Sequence, residues 1–192
     1  MNPTLRFIKS LGLILCITAS IAAGPATKPA AGVDTSIAKD QYHFPAPPAP
    51  EWSAVNPDPA AESITFLNAG HDGAIQLVLL AKDADVGPGV AMNVAVAIVK
   101  QLKQQHAEQK TVMVMDPKIE KDKRFAIVIH EKYKVGDAVA DQLHIYKSVG
   151  PRVLMLTVNT TAADPDKVAS VQKDAEEMLA AAKFNRKAFK KE

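Results

Sequence analysis

RFAIVIHEKY (residues 124–133), DQLHIYKS (141–148) and RVLMLTVNT (152–160) are three apolar runs in succession, and their reading decides the fold. In the first, Phe125, Ile127 and Ile129 fall on one side, and Ala126, Val128 and His130 fall on the other. That two-residue period belongs to a strand. The breaks between the runs are short, and the second is only Val149-Gly150-Pro151. They leave room for turns but not for the crossover helices that parallel neighbours need, so the runs predict an antiparallel meander.

Working outward, TVMVM (111–115) predicts a further short strand, ended by Asp116-Pro117 and followed by KIEKDK as a solvated, charged connection. ESITFLNA (62–69) and AIQLVLLA (74–81) read as a hairpin, with Asp72-Gly73 able to take the positive φ of a tight turn. From Pro88 to about Gln109 the period changes. Ala91, Val94, Ile98 and Leu102 form a stripe, widened by Ala95 and Val99, which is an amphipathic helix with Pro88 in its first turn. A second helix begins at Asp164, a cap, with Pro165 at its first position and Asp166 where the dipole favours an acid. Its inward stripe is Val168, Val171, Ala175, Met178, Leu179 and Ala182, with Asp174, Glu176 and Glu177 toward water. The expected fold is α+β: a mostly antiparallel sheet of about six to seven strands flanked by two main helices, an α/β/α sandwich.

The first residues have the layout of a secretory signal peptide: Arg6 and Lys9 without an acid, an apolar run, then Ser20 and Ala22 placed for cleavage. An uncleaved anchor is the alternative, but the run from Leu11 to Ala23 is short of the roughly 20 residues a spanning helix needs. Residues 1–22 are therefore expected to be a leader, 23–40 a flexible linker, 41–185 one domain and 186–192 a basic tail that frays. The expected location is periplasmic or secreted, with no membrane span after leader removal. Loss of Arg6 and Lys9 leaves 21 basic and 21 acidic residues, so charge gives no reason to expect nucleic acid as a partner. Cys16, the single cysteine, lies in the leader, which removes thiol chemistry from the mature chain. Its lipidation is the alternative, against which stands the bulky Leu15 beside it.

YHFPAPPAPEW (42–52) holds two aromatics around His43, a proline run and the only tryptophan. Tyr42 and Phe44 suit a short edge strand, the prolines cannot continue it, and Trp52 is expected to fold back on the core. A proline-rich ligand for an aromatic groove is the competing reading. The element order, introduced by Pro48-Ala49-Pro50-Glu51-Trp52, resembles the PsbP/Mog1-like α/β/α sandwich over roughly residues 40–185. Relatives by that resemblance include extrinsic assembly factors of photosynthetic membranes and small-GTPase-binding nuclear transport proteins. The resemblance implies a protein-binding or assembly domain.

Chemistry is sparse. His71-Asp72 is the best local imidazole–carboxylate pair, although both belong to a turn. His130 and His144 become cross-strand neighbours if residues 124–133 pair with 141–148, but no third ligand accompanies them, so no metal site is expected. His106 continues its helix stripe and is expected to cap or pack. Asp83 with Asp85, and Asp137 with Asp141, bracket loops without the ligand series of a calcium loop. No G-x-S-x-G elbow occurs, and VGPGV (86–90) lacks the Lys-Ser/Thr ending of a phosphate loop. No catalytic residue, cofactor or metal is assigned. The expected function is an exported, non-catalytic domain that binds an unidentified envelope or extracytoplasmic protein, with Tyr42, Trp52, His71, Asp72 and Asp137 as contact candidates. The alternative is a small-ligand binder or hydrolase using a cleft near His71, His130 and His144.

Overall fold

The computed structural model describes residues 34–47, 52–55, 58, 60–68, 70, 72–80 and 91–189. His71, Cys16, Asp83, Asp85, residues 48–51 and 86–90, the leader and most of the linker lie outside the described residues.

The strands are β1 (Asp34–Ile37), β2 (Tyr42–Pro45), β3 (Trp52–Val55), β4 (Ser63–Asn68), β5 (Gly73–Leu79), β6 (Met113–Glu120), β7 (Ile127–Val135), β8 (Ala138–Val149), β9 (Arg152–Thr160) and β10 (Lys183–Phe184). The helices are α1 (Ala91–Gln109), α2 (Pro165–Ala180) and the single turn α3 (Arg186–Phe189). Seven strands form one sheet in the order β3-β4-β5-β9-β8-β7-β6, and every pairing in it is antiparallel. The meander and both helices stand where the periodicity put them.

Alternation divides this sheet into two buried faces. On one face, Ile127, Ile129, Tyr146, Val153 and Met155 pack under Val94, Ala95, Ile98 and Leu102 of α1. On the other, Ile75, Leu77, Leu143, Ile145, Leu156 and Val158 pack under Val171, Ala175, Met178 and Leu179 of α2. Each helix stripe is the one its 3.6-residue spacing required. Asp164 caps α2 by accepting from the Asp166 N–H at 3.0 Å. At the other end, the Lys147 ammonium donates to the carbonyls of Leu179 (3.0 Å) and Ala180 (2.6 Å), bringing a cation to the negative pole of the helix.

Five expectations are corrected. Residues 34–37, assigned to the linker, are a strand. β1 pairs with β2, and β10 pairs with the other side of β2, so Tyr42–Pro45 is the centre of a small three-stranded sheet rather than an edge. Pairing on both sides is what lets so short a segment bury Tyr42 and Phe44 completely. β6 runs through Asp116-Pro117 to Glu120 instead of stopping at residue 115, because it is an edge strand with a register shift, where a missing donor is tolerated. The hairpin between β4 and β5 needs no positive φ at Asp72 or Gly73. Instead the Asn68 side-chain oxygen accepts from the N–H groups of Asp72 (3.1 Å) and Gly73 (3.0 Å). The tail includes a helical turn, Arg186–Phe189, where none was expected, and the Phe189 ring meets Phe184 edge-on with centroids 5.4 Å apart.

The meander is held at its bends by glycine. Gly136 and Gly150 both have φ of +61°, each at the first position of a two-residue loop, between Val135 and Ala138 and between Val149 and Arg152. A Cβ on Gly150 would stand 2.5 Å from Cγ of Phe184, whereas one on Gly136 meets nothing within 4 Å. Gly150→Ala is expected to cost about 2–4 kcal/mol, from the backbone conformation together with the clash. Gly136→Ala should cost only the conformational part, about 1–2 kcal/mol. Urea midpoints of the two variants check the difference; equal losses would mean that Phe184 does not constrain the turn.

Candidate functional site

Folding β7 onto β8 about Gly136 fixes which polar side chains meet. Lys132 lies directly opposite Asp141, and His130 lies opposite Leu143, one diagonal step from Asp141. On the sheet face toward α2 this makes a charged cluster. The Asp141 carboxylate receives His130 Nε2 (2.7 Å), Lys132 Nζ (2.6 Å) and the Gln172 amide of α2 (2.9 Å). His130 Nδ1 reaches Glu120 of β6 at 3.2 Å. The hydrogen bond to Asp141 is the main reason that the His130 pKa is raised, against burial, with Glu120 adding to it. For Asp141, burial pushes the pKa up, but the bonds from His130 and Lys132 outweigh it and the net shift is downward. In its protonated form His130 donates to a carboxylate from each nitrogen, which is the arrangement of an ion-pair partner.

The cluster forms one end of a cleft of about 610 Å³ between the N-terminal half of α2 and the β7–β8 hairpin. Apart from Thr161 and the rim residue Asp137, its other walls are apolar: Ala138 and Val139 on the hairpin, Ala162, Ala163, Pro165, Val168 and Ala169 on the helix side. Asp137, a contact candidate from the sequence, stands at its exposed hairpin rim. A second cleft, about 350 Å³, lies on the opposite flank of the same helix half and gathers Trp52, Asn68, Asp72, Lys167 and Asp174. Two more sequence candidates, Trp52 and Asp72, thus line one cleft. Trp52 is buried, as expected, and its indole N–H donates to Asp174 at 3.2 Å. Asp174, read as solvent-facing, therefore belongs partly to the interior. Lys167 Nζ stands 3.9 Å from Asp72. Tyr42 is fully buried and offers no surface.

His130 and His144 do not meet. The expected strand pairing is present, but its register sets His144 opposite Ile129, so the two imidazoles project from opposite faces of the sheet. His144 joins His106 instead, on the α1 side. Glu131, with no exposed surface, accepts from His106 Nε2 at 3.1 Å through one oxygen and from His144 Nε2 at 3.2 Å through the other. Burial raises the Glu131 pKa, but the hydrogen bond and charge of His144 and the charge of His106 overcome it, and the carboxyl is held below its ordinary range. The Tyr133 hydroxyl beside it is pushed up to about 12, first by burial and then by the Glu131 charge. The sequence reading of His130-Glu131 as strand neighbours facing opposite sides is correct, and it explains two separate clusters.

Lys132, Asp141, Glu120 and Gln172 were not singled out in the sequence as members of one group. The signal was available in Gly136-Asp137: a two-residue loop there pairs residue 132 with 141 and fixes the whole cluster. Among the described residues, no group of three His, Cys, Asp or Glu is gathered to hold a metal ion. Among them too, no helix is long and apolar enough to cross a membrane.

No protein-family model matches the chain, and no curated protein matches it by sequence. Solved structures do. The Ran-binding protein Mog1p of Saccharomyces cerevisiae superposes with a TM-score of 0.51 at 8% identity, covering 80% of this chain and 95% of that one. A point mutant of Mog1 gives 0.52 at 9% identity over 81% and 96%. Cyanobacterial PsbP of Synechocystis matches at 16% identity over 86% and 100%, with a TM-score of 0.48. The two Mog1 superpositions show that the chain has the PsbP/Mog1-like fold that its element order suggested.

Proposed function

We propose that this chain is an exported, non-catalytic binding domain, and that its α2 face, between and including the two clefts, docks an extracytoplasmic protein partner. The observation that carries this reading is the larger cleft. It combines a volume of about 610 Å³, apolar walls and an exposed Val139 at its lip with a fixed polar end built from His130, Lys132, Asp141 and Gln172. Concave apolar surface with a few fixed polar groups is the usual form of a recognition site.

Charge supports a particular kind of partner. Around the clefts, Asp72, Asp137, Asp164, Asp166 and Asp174 stand against Lys132, Lys134 and Lys167, while Asp141 is held by His130 and Lys132 and Glu176 by Arg124, which leaves a small acidic excess. A partner with an apolar anchor inside a basic rim would be complementary. The Ran-binding activity of Mog1p is a precedent for protein recognition by this fold. Export rests on the leader-like residues 1–22.

The test is retention of proteins from native envelope extract by the wild type and by Val139→Glu, a change at an exposed site that should leave the melting temperature within about 2–4 °C. A discrete set of proteins held by the wild type and reduced about tenfold by the variant is expected. Recovery that is equal for both, or no recovery above background by either, would overturn the reading.

A further inference from the structure

Val112, just before β6, Val114 within it and Val139 at the lip of the larger cleft are 58%, 52% and 40% exposed. Register brings them together. Met113 lies opposite Tyr133, whose ring meets His106 on the α1 side, so the residues flanking Met113 project toward the α2 side. Lys134 lies opposite Val139, and its N–H donates to the Val112 carbonyl at 2.9 Å. Val112, Lys134 and Val139 thus stand in one row across the sheet. Neighbouring strands are about 4.8 Å apart, which separates the two valines by about 10 Å with the apolar stem of Lys134 between them. Val114 is the next residue along the same face. Single exposed valines are ordinary, but three around one lysine make a patch. Among the described elements, α2 packs over β8 and β9, while α1 reaches β6 and β7 from the opposite side. Lys118 and Lys132, on the same face, pair with Glu120 and Asp141, whereas Lys134 makes no ion pair among the described residues.

We propose that this floor beside α2 receives one amphipathic helix of the protein partner, whose apolar stripe covers the valines and whose flank sets a carboxylate against Lys134. The inference rests on the docking reading, because Val139 belongs to both the cleft and the patch. Dimensions favour a helix. Its diameter, about 10 Å, matches the width of the row, and it would fill the layer beside α2. An added strand would instead continue the sheet sideways past β6 and leave the row over β7 and β8 bare. A second copy of the chain supplies no suitable helix. α2 exposes no large apolar side chain, and Met92 and Val96 of α1 are followed along their stripe by exposed Lys100 and Lys103. A flat lipid surface would rest on α2, one helix diameter above the sheet, and stand off from the floor. Charge orients the helix, since Lys134 is a local exception to the small acidic excess around the clefts.

The experiment titrates the full chain, followed by NMR, with a helical peptide of roughly 14 residues that carries leucines at i, i+3, i+4 and i+7 and flanking glutamates. A peptide with lysines in place of the glutamates is the charge control, and vesicles of phosphatidylserine and phosphatidylcholine are the lipid control. Saturable shifts are expected at the amides of residues 112–114, 132–134 and 139 with the acidic peptide. Its affinity should fall about tenfold in Val114→Glu and in Lys134→Glu. Both sites are exposed, so the variants should melt within about 2–4 °C of the wild type. Absence of saturation, equal affinity for the lysine peptide, or equal affinity in both variants would overturn the inference. So would vesicle binding by the wild type that Val114→Glu abolishes, which would make the patch a lipid contact. Retention of envelope proteins that is lost in Val139→Glu but kept in Val114→Glu would leave the cleft as the docking site and remove only the helix.

Discussion

Glu131→Ala is expected to destabilise the protein by about 3–5 kcal/mol, the scale for breaking a buried charge cluster by removing one member. The carboxylate is fully buried and each of its oxygens accepts from a different imidazole, one carried by α1 and one by β8. Removing it strands both rings in the interior and opens a void beneath the helix. It also separates α1 from the sheet chemically, since His106 is the polar group of that helix that reaches the carboxylate. Glu131→Gln keeps the volume and should lose less. The two variants also differ from the wild type in pH dependence. A folded pKa below the unfolded value of about 4.3 contributes stability that is present above that value and is lost as pH falls toward the folded one. Urea midpoints measured between neutral pH and the acid limb should therefore fall for the wild type and flatten for Glu131→Gln. A Glu131→Ala protein as stable as the parent would remove the cluster from any structural role.

Trp52→Ala should cost a similar amount, about 3–5 kcal/mol. Trp52 begins β3, a four-residue edge strand, and is 2% exposed. The indole packs into the α2-side core and bonds Asp174, so it joins one edge of the sheet to the helix that lines both clefts. Trp52→Phe separates the two contributions. It retains most of the ring area and forfeits one hydrogen bond, worth about 1 kcal/mol. Thermal melts of both variants read the difference directly. If Trp52→Ala melts with the wild type, the residue is a surface ligand after all, and the competing reading of the proline-rich stretch returns.

These two residues also show where sequence was sufficient and where it was not. The fate of Trp52 was legible because a large indole next to structured sequence gains by burial. Its partner was not, because Asp174 is 122 residues away and its position on α2 looked solvated. The strands of the meander followed from period alone, and so did the stripes of α1 and α2. What period cannot give is register. A strand with both faces buried shows no polar side to fix it, so whether His144 faced His130 or Glu131 depended on a turn of two residues at Gly136. The small sheet escaped notice for a related reason. β1 and β10 have only four and two residues, too few for any pattern, and they exist because β2 pairs with both.

That small sheet has a geometric consequence. β1 and β10 enter and leave beside the same strand, and Phe184 touches the β8–β9 turn at Gly150, so the first and last described segments share one pole of the molecule. The hairpin bend at Gly136 stands at the far end of β8, a twelve-residue strand roughly 36–40 Å long. Whatever the chain is fastened to at either end would thus hold it like a handle, and the acidic, cleft-bearing tip would be presented outward, away from the point of attachment.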